Sequence, residues 1–170
     1  MPEADEALEQ AGRETRAAFE NRALMYYYIF DELSGEVGRD RAAEVMKRAI
    51  RRRGEEVGKK YASAERAGDL EAVAHTFCTD SPCQGELFHP GVDELAEDHL
   101  VLRMTSCPLI DAWRSLGLPP EDVDLLCEIS AAVDYGTFEG AGLELTFLDR
   151  LGRPGAERCL LELKMPPAGR

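Results

Sequence analysis

Five cysteines, three histidines and a few well-placed acids and bases carry whatever chemistry this chain has. Cys107 is the foremost of them. It follows an alternating stretch and precedes Pro108, a residue suited to the first position of a helix, so Cys107 is a candidate N-cap. Unpaired amides and the helix dipole favour an anion there and lower a thiol pKa. A thiolate so placed attacks an electrophilic carbon or binds a metal; the plainer alternative is a small core residue at a strand end. Cys127, Ser130 and Asp134 lie three, four and seven apart, which puts them on one side of a helix. A carboxylate on that side needs a partner if buried, so Asp134 is a candidate general base or orienting group; the plainer alternative is a solvated residue just beyond the helix end. Cys159 alternates with Leu161 and Leu163 and faces their way, the usual setting of a core thiol. With His99, the set Cys107, Cys127 and Cys159 has the donor types for zinc or an iron–sulfur cluster, although the spacing is not of the C-x-x-C type.

His99 lies eight residues before Cys107 and is a candidate for moving a proton. Arg103, on the same expected strand, is suited to a bidentate hold on a substrate carboxylate. His89 lies in a loop able to close over a pocket, and Trp113 is on the stripe of the helix that Cys107 begins; both are substrate-binding candidates. His75 is expected on a helix surface. Cys78 and Cys83 bracket Asp80 and Ser81, a set that pairs, chelates or does nothing. No dinucleotide fingerprint, P-loop, nucleophile elbow, HExxH or EF-hand occurs, so nucleotide chemistry has no support.

Helices and strands must bring these residues together. Residues 1–14 are polar and Glu-rich, and a flexible N-terminus is expected. From about residue 15, Phe19, Ala23, Tyr26, Phe30 and Leu33 recur at helical steps. Leu24, Met25, Tyr27, Tyr28 and Ile29 widen that stripe, which predicts packing on more than one face, by the domain or by a second copy. Ser34, Gly35 and Gly38 end the helix. A second helix is predicted over residues 41–66. Its Gly54 and Gly58 each cost about 1 kcal/mol of propensity, so they signal close approach by another helix or a ligand. A short helix capped by Asp69 follows. Residues 78–92 read as an irregular loop. Residues 97–106 read as a strand, 108–117 as a helix, and a further helix starts at Pro119–Pro120. Two strands, around residues 143–147 and 159–164, close the chain. The expected architecture is α+β. A helical part (15–77) packs on a strand-helix-helix-strand-strand part (97–165) in one domain, with an antiparallel or mixed sheet carrying helices on one face.

A chain of 170 residues buries enough surface to fold without disulfides or metal. The odd cysteine count argues against a disulfide framework. The acidic start lacks the apolar core of a secretory signal, and no apolar run reaches transmembrane length, so a cytoplasmic protein away from membranes is expected. The net charge is -13, and it is unevenly spread: residues 1–66 hold 14 acids and 13 bases, residues 67–170 hold 19 and 7. Such acidity repels phosphate backbones and speaks against nucleic acid, but leaves room for a small anion held by local cations. The expected partners are a small-molecule substrate and a second copy of the chain.

Four stretches together resemble the L-2-amino-thiazoline-4-carboxylic acid hydrolase family. They are Gly38 to Gly58 with Gly54-Glu55-Glu56-Val57-Gly58; Cys107-Pro108-Leu109 through Ala112-Trp113 to Gly117; Glu121 to Cys127 followed by Asp134; and Gly155-Ala156-Glu157-Arg158-Cys159. The last looks like a Gly-Asp-x-x-Cys turn, with Ala156 in place of the acid. Their order and spacing, over roughly residues 20–165, carry the resemblance. The ending is also similar to small-ligand and metal-binding domains of the four-vinyl-reductase type. The resemblance implies a hydrolase acting on non-peptide C–N bonds. Its substrate would be a small cyclic amidine carboxylate, opened from a thiazoline ring to an N-carbamoyl amino acid. In that reading Cys107 attacks or holds a metal, Asp134 or His99 moves the proton, and Arg103 neutralises the carboxylate. The alternatives are a non-catalytic metal or small-ligand domain of a redox or sensory pathway, and a dimer whose cysteines are core.

Overall fold

The computed structural model describes residues 2–62 and 69–166. Helix α1, Pro2–Val37, is 36 residues long, roughly 54 Å at 1.5 Å per residue. Helix α1 thus takes in most of residues 1–14. Pro at the first position, then Ala, Leu, Glu and Gln, are residues that favour helix even without burial. Ala23 and Phe30 are buried on one face, and Phe19, Tyr26, Tyr27 and Leu33 pack beside them. Met25, Tyr28 and Ile29 stand exposed on the other. Gly38, with φ +83°, takes the left-handed turn that separates α1 from α2.

Helix α2, Arg39–Gly58, buries Ala42, Ala43, Met46, Ile50, Gly54 and Gly58. The rest of the helix expected to residue 66 falls partly on residues 63–68, outside the described residues. Helix α3, Leu70–Thr79, starts at Asp69, whose carboxylate accepts from the Ala72 amide at 2.8 Å. Helices α4 (Pro108–Ser115), α5 (Pro120–Ser130) and α6 (Ala132–Gly140) follow. The predicted approach to Gly54 is made by α6. A Cβ at Gly54 would overlap the Val133 carbonyl and lie 2.9 Å from the Gly136 Cα. One at Gly136 would run into the Arg51 carbonyl in return. The two backbones touch because neither side has a side chain at the crossing.

The sheet is antiparallel with strand order β1-β2-β4-β3. Strands β2 (His99–Met104), β3 (Glu144–Asp149) and β4 (Cys159–Lys164) fall where the alternation predicts them. Strand β1, Pro90–Leu95, lies partly inside the stretch read as a loop. It is a half-solvated edge strand, where Pro, Gly and acids are tolerated and blunt the edge. Register pairs Leu100 with Leu163, Leu102 with Leu161 and Met104 with Cys159. These residues, with Leu145 and Phe147 of β3, form the face that meets the helices. No helix among the described residues is long and apolar enough to cross a membrane.

Candidate functional site

A cavity of about 250 Å³ opens between the sheet and the helices. Strands β2, β3 and β4 supply Met104, Phe147 and Cys159; the start of α4 supplies Cys107; α5 supplies Cys127 and Ser130; α6 supplies Asp134. Three of the dispersed cysteines and the singled-out aspartate therefore meet in one place. The route differs from the expected single helix. The chain breaks at Ala131, between α5 and α6, and the break keeps Cys127, Ser130 and Asp134 on the cavity.

Their electrostatics are set by burial. Asp134 is half-buried, and desolvation lifts its carboxyl from the ordinary 3.8 to about 7. Burial pushes the Cys107 thiol up to about 12, against the pull of the Ile110 and Leu109 amides. The expectation that the helix start lowers this pKa is thus overturned: the amides act in the expected direction, but lost hydration outweighs them. Its side chain makes no capping hydrogen bond. Burial likewise raises Cys159 to about 12, although the Leu151 amide donates to its Sγ at 3.3 Å. Cys127 is raised by burial, with the Gly152 amide and Arg150 pulling down. Arg150 is itself buried, held by Asp124 at 2.8 Å and near Glu128 at 3.7 Å.

His99, Arg103, His89 and Trp113 do not line the cavity. His99 and Arg103 share a face of β2, as expected, but Leu100, Leu102 and Met104 are the residues turned to the helices, and a period of two sends the other set away. His99 sits 3.1 Å from Glu94 and 3.0 Å from Asp98, and hydrogen bonds to Asp98 and Glu94 raise its pKa. Arg103 is bound to Asp93 at 2.6 Å. His89 is exposed, with a left-handed φ of +46°. Trp113 is core: it is fully buried, and its Nε1 donates to the Ala23 carbonyl at 2.8 Å. Among the described residues no group of three or more His, Cys, Asp or Glu sits close enough to hold a metal ion. Cys107, Cys127 and Cys159 line this one cavity, and His99, the fourth donor type considered with them, lies outside it.

Much of the lining carries no local signal in the sequence. Phe19, Tyr61, Phe77 and Phe88 come from α1, the turn after α2, α3 and the segment before β1. Tyr61 is buried, and its pKa is raised first by desolvation and then by Asp80, Asp134 and Cys78. Two cations, Arg22 and Lys60, also line the cavity. The Lys60 charge is met by Asp80 at 3.3 Å. Arg22 lies 4.4 Å from the centre of the Phe19 ring. The helical periodicity that marks Phe19 as core was the available signal for Arg22, one turn further along.

The fold and the cavity together define a small α+β domain with a concave, largely apolar cavity lined by aromatic rings, thiols and one raised carboxyl. The model of the L-2-amino-thiazoline-4-carboxylic acid hydrolase family matches residues 16–162, and the chain belongs to that family. No curated protein matches the chain. Among solved structures, the chain is similar to trafficking protein particle complex subunit 3 from Naegleria fowleri, in a crystal structure covalently bound to palmitic acid. The TM-score is 0.54 at 11% identity, over 91% of this chain and 98% of that one, a likeness of fold.

Proposed function

We propose that the protein hydrolyses a small cyclic amidine carboxylate of thiazoline type in this cavity. The observation that carries the reading is the meeting of Cys107 and Asp134 in one cavity, in a chain of this hydrolase family. With its pKa near 7, Asp134 exchanges protons at neutral pH, which suits a general acid–base group. The Cys107 thiol is protonated at rest, so its attack has to be coupled to proton removal. The Cys107 Sγ bonds to the amidine carbon, the C=N electron pair moves to nitrogen, and the thiol proton passes to the Asp134 carboxylate. Collapse of the adduct expels the ring sulfur, which takes the proton. Water then displaces Cys107, and the carbamoyl group stays on nitrogen. An N-carbamoyl product keeps the ring nitrogen bonded to the former amidine carbon, so the ring bond that breaks is C–S.

Turnover of 2-amino-thiazoline-4-carboxylate, with mass spectrometry of quenched protein, tests this. The expected result is a transient adduct on the peptide holding Cys107. Full turnover by folded Cys107→Ala would remove the cysteine from the mechanism. A second reading, a small-ligand-binding domain without turnover, is favoured by the apolar walls and by the palmitic acid named for the structure of like fold. Absence of turnover together with saturable ligand binding selects it. The chain is further proposed to pair with a second copy through the exposed Met25, Tyr28 and Ile29 face of α1. A monomeric mass in sedimentation at micromolar concentration would end that proposal.

A further inference from the structure

The cavity is too large and too apolar for the family's namesake ring alone. About 150 Å³ of dry space is enough for a benzene molecule. The volume here is about 250 Å³, and a bare thiazoline carboxylate leaves part of it empty. Water is a poor tenant of that remainder. A buried water needs two to four polar partners; the lining has some, Ser106, Ser130 and Asp134 among them, but Phe19, Phe77, Phe88 and Phe147 offer it none. Phe19 and Phe88 meet edge to face, with ring centres 5.2 Å apart, so they close into one surface rather than standing as separate side chains.

The charges divide the same way. Lys60 is matched by Asp80, but Arg22 has no carboxylate partner among the described residues. It stands exposed over Phe19, beside the aromatic wall. The site thus offers an unmatched guanidinium next to an apolar surface, and the Asp134 carboxyl in the same cavity.

We propose that this site selects an amphipathic carboxylate: a substrate whose carboxylate meets Arg22 and which carries an apolar substituent about the size of a second ring against Phe19 and Phe88. The inference rests on the hydrolase reading only for the identity of the reacting ring. Arg22 here takes the place expected of Arg103, whose guanidinium is held by Asp93 on the other side of the sheet.

Calorimetric titration of the full chain with 2-amino-thiazoline-4-carboxylate and with its 5-phenyl derivative tests the proposal. The phenyl compound is expected to bind at least about tenfold more tightly, as burial of several apolar carbons implies. Phe88→Ala should shrink that ratio to under about threefold; if that variant fails to fold, Phe88→Leu serves the same comparison. Arg22→Gln should weaken both carboxylates by about tenfold and leave the affinity for the matching carboxamides unaltered. Equal or weaker binding of the phenyl compound overturns the proposal, as does an Arg22→Gln variant that binds both carboxylates normally. Turnover measured on the same samples separates this from the hydrolase reading. Preferential binding of the phenyl compound with no turnover of either sinks the hydrolase reading alone. Turnover of the unsubstituted ring with exclusion of the phenyl compound sinks the size selection alone.

Discussion

Helix α6 has two sides that obey opposite rules. On one, Gly136 presses its backbone onto α2, and the Thr137 hydroxyl donates to the carbonyls of Val133 at 2.8 Å and Gly54 at 3.3 Å. At this crossing no space remains for a Cβ. On the other, Asp134 lines an open cavity, with its carboxyl desolvated and raised to about 7. Packing at the first side fixes the backbone, and that rigidity is what lets the second side hold a carboxyl that burial disfavours. A desolvated carboxyl held on a rigidly packed element is the arrangement that supports reading this cavity as a site.

The closed side gives the largest expected effect. Gly136→Ala places a methyl group onto the Arg51 carbonyl and within 3.0 Å of the Glu55 amide. Neither is a flexible side-chain end, so the helices must separate. The expected loss is about 3 kcal/mol, a fall in Tm of roughly 10 °C for a chain of this size. Thermal unfolding within a degree or two of wild type would show that the seam yields cheaply and that the contrast is false. On the open side, Cys107→Ala is expected to lower kcat/KM by about a thousandfold while Tm moves little. A large loss of Tm with little loss of turnover would make Cys107 a packing residue.

The closed side was legible in the sequence and the open side only in part. Gly54 and Gly58 stand four apart in an otherwise good helix, and glycine there has few explanations besides contact. The alternation of Leu100, Leu102 and Met104 against His99, Val101 and Arg103 fixed the strand, but not which face meets the helices. Polar side chains with useful chemistry drew His99 and Arg103 into the site, while the plainer Leu100 set marked the true inner face. Asp134 was found because its spacing from Cys127 survives a helix break at Ala131. The aromatic wall was not found. Phe19, Tyr61, Phe77 and Phe88 come from four separate segments, and nothing local says that rings fitting a core stripe border empty space. Strand β1 was missed because a half-solvated edge strand rich in Pro, Gly and acids has the composition of a loop.

Asp134 gives a smaller effect with a definite sign. Its folded pKa of about 7 exceeds the ordinary 3.8, so between those values the folded chain binds a proton that the unfolded chain has released. Through this group, stability falls as pH rises from about 4 to about 7. Asp134→Asn removes that penalty. Above pH 7 the variant is expected to be more stable than wild type by about 2–4 kcal/mol, the lower value applying where solvent in the open cavity screens the charge. Its turnover is expected to be lost, and wild-type kcat/KM to rise through about pH 7 as the carboxylate forms. Denaturant midpoints at pH 5 and pH 8 check the first point. Equal pH dependence in both proteins would mean that Asp134 titrates normally and that the open side carries no stored cost.

The smallest effect tests whether the contrast extends to the two faces of β2. His99 belongs to the outer face, between Glu94 and Asp98. If the inner face alone carries function, His99→Gln leaves kcat/KM within about twofold of wild type. Its stability effect also has a fixed sign. Hydrogen bonds to Asp98 and Glu94 raise the histidine pKa above the ordinary 6.5, so its contribution is full below that value and fades as pH climbs through the folded pKa. The variant is therefore expected to melt slightly below wild type in acid and together with it in mild alkali, a pattern opposite to that of Asp134→Asn. Raised salt should shrink the acid difference, because the pair is partly exposed and screened. A hundredfold loss of turnover in His99→Gln would bring the outer face into the chemistry, and the division of the strand into a working side and a solvated side would fail with it.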